Sequence, residues 1–418
     1  MPMYLKNLNN FVAIKKSLCY NCNRVVLRKV QIKVDLLIFN NLENDSCIKG
    51  IAEKDDIEVM RGIICFAEEE GITDSSIREY VSSRLANDDN ILSRLAQSGK
   101  KIGNDLYKLA KRDMVQIYKN LFSVQLKYSP SGNETGFCEE YANSLTKLTA
   151  AKDAQELLDL LILHYKKLGS GAFAKYTAFK YDGEFIGIPH IDSVDFDSLI
   201  GIEFQKKTLI DNTRAFVNGK RANNVLLFGD RGTGKSSSVK ALLSLFAKDG
   251  LRLVEIPKHY IKDMPEIVKT LSAKPHKYIL FLDDLSFAPE EAEYKSLKIA
   301  MEGQLRAHPD NVLVYATSNR RHLVKESWAD RQGDEVHKND QLQETLSLSE
   351  RFGISLVFSA PNQKEFLNIV ADMLKKHDVE IDADIEKQAV VWQMNHGGRN
   401  GRCAKQFVAA YISGRQKD

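Results

Sequence analysis

Residues 229–236 of this chain, GDRGTGKS, combine the residue types and the spacing of a loop that binds phosphate groups. Gly229, Gly234, Lys235 and Ser236 occupy every fixed position of the pattern G-x-x-x-x-G-K-[ST]. Glycines allow such a loop to curl until successive backbone N–H groups face one anion. We therefore predict a nucleotide-binding loop made of Gly229, Asp230, Arg231, Gly232, Thr233, Gly234, Lys235, Ser236 and Ser237.

Lys235 and Ser236 have separate predicted roles in this loop. The Lys235 ammonium would reach the β- and γ-phosphates of ATP, and the Ser236 hydroxyl would bind Mg²⁺. The helix predicted to follow, KSSSVKALLSLFAKDG, adds the positive end of its dipole to the same anion site. A glycine turn with a purely structural role is the alternative interpretation.

Two acidic residues follow an apolar run further along the chain, in YILFLDDL (278–285). An acid at the tip of a buried strand is unfavourable unless it meets a cation. Asp283 as a ligand of Mg²⁺ supplies that reason, and Asp284 is then the base that polarises the attacking water. The alternative is an acidic loop after an ordinary core strand.

Asn319 and Arg351 complete the set of residues that we expect to act in catalysis. Asn319 ends the polar tip ATSN (316–319), where an amide can position water against the γ-phosphate, although Ser and Asn also cap helices. Arg351 lies in LSERFG (348–353), just before another apolar run. From this motif alone, Arg351 either reaches a phosphate in a neighbouring subunit or pairs with local acids.

These residues follow or precede short apolar runs that alternate with helical patterns. The runs are NNVLLFG (223–229), LRLVEIP (251–257), YILFLDDL (278–285), VLVYATSN (312–319) and ISLVFSAP (354–361). Continuous apolar runs are typical of parallel strands that helices cover on both faces. The alternation therefore predicts a doubly wound α/β domain, in which ligands bind at the carboxyl ends of the strands.

The chain before about residue 190 has a different pattern. After a strand-like stretch at 30–39, it contains amphipathic segments typical of helices at 57–71, 104–122 and 154–169. Cys19 and Cys22 form one C-x-x-C pair, which is half of a zinc site or a redox pair. Since no second C-x-x-C or close His pair accompanies it, we expect ordinary reduced thiols.

Composition limits the class of protein. The chain has 418 residues, 43% of them hydrophobic and 28% charged, as in soluble proteins of two or three domains. Its net charge of +3 is too small for a dedicated binder of polyanions. No run approaches the roughly 20 apolar residues that span a bilayer, and MPMYLKNLNNFVAIKK lacks the core of a secretory signal. We therefore expect a cytoplasmic protein without membrane contacts.

Taken together, these motifs make residues 193–418 resemble an AAA+ ATPase module. Residues 229–236 match Walker A, Asp283 and Asp284 match Walker B, Asn319 falls at sensor 1, and SERFG resembles the arginine-finger box. LIGIEFQK (199–206) is similar to the segment that cradles adenine. More narrowly, NNVLLFGDRGTGKSS, FLDDLSF, YATSNRRHL and GRCAKQF resemble bacterial AAA+-like ATP-binding proteins grouped as a domain of unknown function. This narrower resemblance also extends to the helical N-terminal half of the chain, where it is weaker.

The resemblance implies a P-loop core with a five-stranded parallel sheet of order 5-1-4-3-2, a C-terminal helical lid and ATP with Mg²⁺ as ligands. It implies that Arg402, or in its place Arg399, is the sensor-2 arginine of HGGRNGRCAKQF (396–407). It also implies a homo-oligomeric ring in which Arg351 acts in trans. We predict three domains: a mostly helical N-terminal domain at 1–190 that binds a partner, the nucleotide-binding core at 191–360, and the lid at 361–418.

Two departures from the family pattern shape the predicted function. Asp284 stands where most active AAA+ motors carry Glu, and its side chain is one methylene shorter, which predicts slow activation of water. PKHYIKDMPE (257–266) lacks the aromatic-hydrophobic-glycine signature of a pore loop, and Tyr260-Ile261 is its nearest equivalent.

We expect an ATPase that remodels or loads a protein or nucleic-acid partner. An ATP-dependent binding switch with very slow turnover is the alternative. A small-molecule kinase would use the same loop, but it has no role for the sensor, finger and lid motifs.

Overall fold

The computed structural model describes residues 35–70, 75–124, 126–128, 136–191, 194–287, 292–302, 309–319 and 351–415. The chain forms two compact units, Met1–Lys166 and Lys167–Asp418. Cys19, Cys22 and most of the strand-like stretch at 30–39 lie before the first described residue; the described part, 35–39, is not a strand.

The first unit is helical over most of its described residues. Its helices are α1 (Ser46–Glu53), α2 (Asp56–Glu70), α3 (Ile77–Asn87), α4 (Ile91–Gln97), α5 (Asn104–Asn120), α6 (Glu139–Thr149) and α7 (Ala154–Leu168). Two short strands, β1 (Ser75–Ser76) and β2 (Lys127–Tyr128), pair antiparallel. The predicted helices at 57–71, 104–122 and 154–169 correspond to α2, α5 and α7.

A seven-stranded sheet forms the centre of the second unit. Its strands are β3 (Ala178–Tyr181), β4 (Phe185–Gly187), β5 (Val225–Gly229), β6 (Leu251–Glu255), β7 (Lys277–Leu282), β8 (Val312–Ser318) and β9 (Ile354–Phe358). They lie in the order β4-β3-β6-β7-β8-β5-β9, and every pair is parallel except β3 with β4. Numbered from β5, the last five strands have the predicted order 5-1-4-3-2.

The expectation of five strands was wrong, because β3 and β4 extend the sheet beyond β6. They form a hairpin in which Phe179 pairs with Gly187 and Tyr181 with Phe185. Strands of four and three residues are too short for their alternation to stand out in a sequence.

Helices cover both faces of this sheet at its centre, which is why β5, β7 and β8 are buried and apolar over nearly their whole length. On one face, Leu280 and Leu282 of β7 pack in a cluster with α11 (Met264–Ser272) and α12 (Ala292–Glu302). On the other face, Ile279 and Phe281 pack with α9 (Glu203–Val217) and α10 (Lys235–Phe246). Burial on two faces leaves no position of the strand that favours a polar residue. A four-residue helix, α8 (Ala172–Lys175), precedes β3.

Three helices form the lid that follows β9: α13 (Gln363–Lys375), α14 (Ala383–Asn395) and α15 (Gly401–Arg415). α13 begins with a capping box, in which the Asn362 side chain accepts from the Glu365 N–H and the Glu365 carboxylate accepts from the Asn362 N–H. Phe366, Ile369 and Val370 of α13 are buried in the lid core. The helical lid predicted at the C-terminal end is confirmed.

The second unit therefore has the predicted architecture of a P-loop α/β core followed by helices. Where the chain is described, its helices are too short or too polar for any of them to cross a membrane.

Candidate nucleotide-binding site

The loop between β5 and α10 lies at the carboxyl end of the sheet. β5 ends at Gly229 and α10 begins at Lys235. Gly229 has a φ of 133°, and a Cβ there would lie 2.1 Å from the carbonyl oxygen of Phe358. Because the contact is with backbone atoms of the neighbouring strand, only glycine fits at this position.

The Lys235 side chain is almost completely buried inside the loop, with 7% of it exposed. Its Nζ donates to the carbonyl oxygens of Gly229 (2.8 Å) and Asp230 (2.6 Å) and to Oδ1 of Asn319 (3.2 Å). Burial lowers the pKa of Lys235, against the opposing fields of Asp284, Asp230 and Asp283. The ammonium thus lies in the centre of the loop and donates to three uncharged oxygens. A bound anion would be a stronger hydrogen-bond partner for it than any of these oxygens.

Asp283, just after β7, receives hydrogen bonds from two neighbouring elements. Ser236 of α10 donates its hydroxyl to Oδ1 of Asp283 (2.6 Å), and Thr317 of β8 donates to the same oxygen (2.5 Å). The two predicted Mg²⁺ ligands, Ser236 and Asp283, are therefore adjacent.

A hydroxyl and a carboxylate are hard oxygen ligands, which suit Mg²⁺. Among the described residues, no group of three His, Cys, Asp or Glu side chains could hold a metal by itself. The remaining ligands of a Mg²⁺ ion would therefore be phosphate oxygens and water, as is usual for this ion in nucleotide sites.

Asp284 is exposed and lies beside Asn319. Its backbone has a φ of 52°, in the left-handed region, and its N–H donates to the Thr317 hydroxyl (2.8 Å). Asn319 donates from Nδ2 to Oδ1 of Asp284 (2.5 Å) while its own Oδ1 accepts from Lys235. Asn319 therefore bridges the loop lysine and the predicted base.

Other loop residues hold the loop in place or face solvent. Asp230 accepts from the Ala360 N–H through Oδ2 (2.7 Å), and the Asp230 carbonyl accepts from the Thr233 hydroxyl (2.8 Å). Arg231 is exposed, and Ser237 is half-buried in the first turn of α10. The Asp230 carboxylate thus ties the loop to the segment after β9.

The segment predicted to cradle adenine also lies beside the loop. A Cβ on Gly234 would lie 3.6 Å from Cδ2 of Leu199 and 3.9 Å from Cδ1 of Ile202. Two apolar side chains of LIGIEFQK therefore flank the start of α10, where a planar base could pack against them.

The lid contacts the loop through the start of α15. The Gly401 N–H donates to the Gly232 carbonyl (3.0 Å), and the Asn400 side chain lies against Gly232. Arg402 lies in the first turn of α15 and Arg399 just before the helix, and both side chains are exposed. Either arginine is thus on the stretch of lid that lies next to the loop.

Arg351 is not brought to these residues. It precedes β9, which pairs in parallel with β5 from Val225–Ile354 to Gly229–Phe358. The loop follows the last of these pairs and Arg351 precedes the first. The loop and Arg351 therefore lie at opposite ends of the paired strands. The pairs are about 13 Å apart along the strand, at about 3.3 Å per residue.

Two residues of this site were missed by sequence reasoning. Thr317 contacts both acids, and its sequence signal is only its place in the polar tip ATSN, from which Asn319 was chosen. Asn400 contacts Gly232, and a polar residue before a helix usually signals only a cap. The functional roles of all the site residues stay predictions.

The sheet order, the phosphate-binding loop and the following helical lid define a P-loop α/β protein, with the strand order that the resemblance to AAA+ modules implies. More narrowly, a family described as "Protein of unknown function (DUF815)" matches residues 173–416, which is more than half of the chain. The chain belongs to this family.

Three other proteins are similar to this chain. The peroxisomal ATPase PEX6 of Yarrowia lipolytica is 27% identical over an alignment of 169 residues, and the match covers 34% of this chain and 16% of that protein. A point mutant of Thermotoga maritima RuvB matches at 20% identity with a TM-score of 0.37, over 52% of this chain and 65% of that one. Aeropyrum pernix ORC1 in complex with DNA matches at 16% identity with a TM-score of 0.38, over 53% and 62%. The chain thus spans less than two thirds of each of these three relatives.

Proposed function

We propose that this protein binds Mg-ATP and hydrolyses it to remodel or load a protein or nucleic-acid partner. The observation that carries the proposal is the hydrogen-bonded series Lys235–Asn319–Asp284 at the carboxyl ends of β5, β7 and β8. It joins the cation of a phosphate-binding loop to a carboxylate that can activate water. The adjacent pair Ser236 and Asp283 supplies oxygen ligands for Mg²⁺.

Lys235 would orient the phosphates. Its ammonium, now bonded to two carbonyls and an amide oxygen, would turn to the β- and γ-phosphates. The glycine loop and the first turn of α10 would add backbone N–H donors. Mg²⁺, held by Ser236 and Asp283 together with the nucleotide, would neutralise phosphate charge during the reaction.

Asp284 would accept a proton from the attacking water, and Asn319 would orient that water. The Asn319 amide accepts from Lys235 through its oxygen and donates to Asp284 through its nitrogen. The polar ends of the three side chains therefore lie next to one another. A γ-phosphate bound to Lys235 would lie within reach of a water between Asn319 and Asp284. Asp284 could accept that proton on its second carboxylate oxygen while Oδ1 keeps the Asn319 amide.

A binding switch with very slow turnover is the second candidate. The hydrogen bond from Asn319 to Oδ1 of Asp284 favours it, because that oxygen is already occupied by the amide rather than by the attacking water. The shorter Asp side chain acts in the same direction.

We further propose that Arg351 acts on a neighbouring subunit in a ring of identical chains. The parallel pairing of β5 with β9 supports this, because it separates Arg351 from the loop of its own subunit. Such an arrangement needs head-to-tail contacts, which close into a ring or continue as a filament. The partner that the ring acts on would be a protein or a nucleic acid.

Three variants test the proposed function. Lys235→Ala should abolish ATP binding, Asp283→Ala should remove its Mg²⁺ dependence, and Asp284→Asn should bind ATP normally but lose turnover. Calorimetry with and without Mg²⁺ measures binding, and phosphate release measures turnover. Unchanged ATP affinity in Lys235→Ala would disprove the phosphate-binding loop. Equally slow phosphate release by wild type and Asp284→Asn would leave only the switch, whereas equal and substantial release would show that Asp284 is not the base.

A further inference from the structure

One hydroxyl group contacts both acids of the candidate site. Thr317 lies in β8 one residue before its end and is 1% exposed. Its Oγ1 donates to Oδ1 of Asp283 (2.5 Å) and accepts from the backbone N–H of Asp284 (2.8 Å). A hydroxyl has one hydrogen and two lone pairs, so both bonds form at once.

The turn after β7 depends on β8 for its shape. Asp284 has a left-handed backbone with a φ of 52°, which is unfavourable for a residue with a side chain. Its N–H bonds to the Thr317 hydroxyl, and the next N–H, of Leu285, bonds to the Thr317 carbonyl (2.7 Å). Thr317 therefore accepts two successive N–H groups of the strained turn. Strained backbone persists only where its surroundings hold it in this way.

The direction of the two bonds decides which way each carboxylate points. An ionised Asp283 can only accept, so the hydroxyl hydrogen must point to it and a lone pair is left for the Asp284 N–H. The Asp283 oxygen that Thr317 holds is the same one that accepts from Ser236 (2.6 Å). Fixing the Asp284 backbone in turn aims its side chain at Asn319.

We infer that Thr317 is a positioning residue that sets the orientation of Asp283 towards Mg²⁺ and of Asp284 towards the attacking water. The inference rests on the proposed function and adds a residue to it. Val has nearly the shape of Thr without the hydroxyl, so Thr317→Val removes both hydrogen bonds and keeps the packing of β8. Thr317→Ser keeps the hydroxyl and removes only a methyl group.

A matched control is available in the same unit of the chain. Thr213 of α9 is also fully buried, and its hydroxyl bonds to the Tyr315 hydroxyl (2.9 Å) rather than to either acid. Thr213→Val therefore makes the same chemical change at a buried position and removes a hydrogen bond that involves neither acid. It should alter stability without altering the Mg²⁺ requirement.

The experiment uses calorimetry to measure ATP affinity without Mg²⁺ and the Mg²⁺ requirement, which is the Mg²⁺ concentration that half-maximally strengthens ATP binding. Phosphate release gives kcat. In Thr317→Val, we expect unchanged Mg²⁺-free affinity, a Mg²⁺ requirement raised roughly tenfold or more, and kcat lowered by a similar factor, since each lost bond involves or orients a charged group. Thr317→Ser should restore both values to near those of wild type. Thr213→Val should match wild type in both.

The inference is overturned if Thr317→Val has the same Mg²⁺ requirement for ATP binding as Thr213→Val, whether or not wild type hydrolyses ATP. If Thr317→Val does not fold, Thr317→Ala and Thr317→Ser form the test pair, because they differ only in the hydroxyl; equal Mg²⁺ requirements in these two would overturn it as well. A wild type that neither binds nor hydrolyses ATP would disprove the proposed function, and the inference with it.

Discussion

A side chain at position 232 would collide with the lid. A Cβ on Gly232 would lie 2.7 Å from Oδ1 and 2.9 Å from Cγ of Asn400. Asn400 is also the cap of α15, since its Oδ1 accepts from the Cys403 N–H (2.9 Å). Gly232→Ala would therefore push Asn400 out of its capping position, and it would place Ala at a φ of 73°.

The expected loss of stability has two parts. The left-handed backbone costs about 1 kcal/mol with Ala, and the lost cap costs about 1 kcal/mol. Gly232→Ala should then lower the free energy of unfolding by about 2 kcal/mol. Asn400→Gly alone should cost only a few tenths of a kcal/mol, because glycine is tolerated at a cap. In the double variant Gly232→Ala/Asn400→Gly the collision is absent, so its loss should be about 1 kcal/mol smaller than the sum of the two single losses.

Urea unfolding of the four proteins, followed by circular dichroism, measures this coupling. Gly219→Ala is the control, because Gly219 has a φ of 71° and a Cβ there would meet no atom of the described residues within 4 Å, so it reports the backbone cost alone. Additive losses in the double variant, within about 0.5 kcal/mol, would refute a contact between the loop and the lid in solution. The contact would also be refuted if Gly232→Ala lowered the free energy of unfolding by no more than Gly219→Ala does.

Two further predictions concern Lys235 and Arg351. Burial lowers the pKa of Lys235 from its usual 10.5, so the unfolded chain keeps this proton to higher pH than the folded one. The stability of wild type relative to Lys235→Met should therefore rise with pH between the lowered pKa and 10.5; a flat difference in urea unfolding across that window would contradict it. Mixing inactive Lys235→Ala with inactive Arg351→Ala should restore some phosphate release, because mixed interfaces pair an intact loop with an intact arginine. No rescue, with turnover independent of protein concentration, would make Arg351 a structural residue.

Local sequence patterns were enough to predict the P-loop core. The runs that became β5, β7 and β8 are apolar because helices pack on both of their faces, and burial on two faces selects apolar residues at nearly every position of the strand. The loop of residues 229–236 is continuous in sequence, so its spacing could be compared directly with a known pattern. The carboxyl-end position of the site then follows from parallel strands alone.

The addition of the β3–β4 hairpin to the sheet depends on pairing between segments that are far apart in the sequence. β3 joins the sheet because Ala178, Phe179 and Lys180 pair with β6, more than 70 residues later. The hairpin also accounts for Tyr260, the nearest equivalent of a pore-loop aromatic. The Tyr260 hydroxyl donates to Asp182 (2.8 Å), and its ring lies edge-on to Tyr181 (5.3 Å).

The sequence by itself determined which residues could bind phosphate and which strands would carry them, because both depend on neighbours within one loop or one strand. Only the tertiary structure decided that Thr317 orients two acids that lie 33 and 34 residues away, and that Asn400 packs on Gly232. A threonine in a strand and an asparagine before a helix satisfy the local rules of many proteins. Their partners depend on the order in which the strands pair and on where the lid folds back, and neither leaves a periodic signal in the chain.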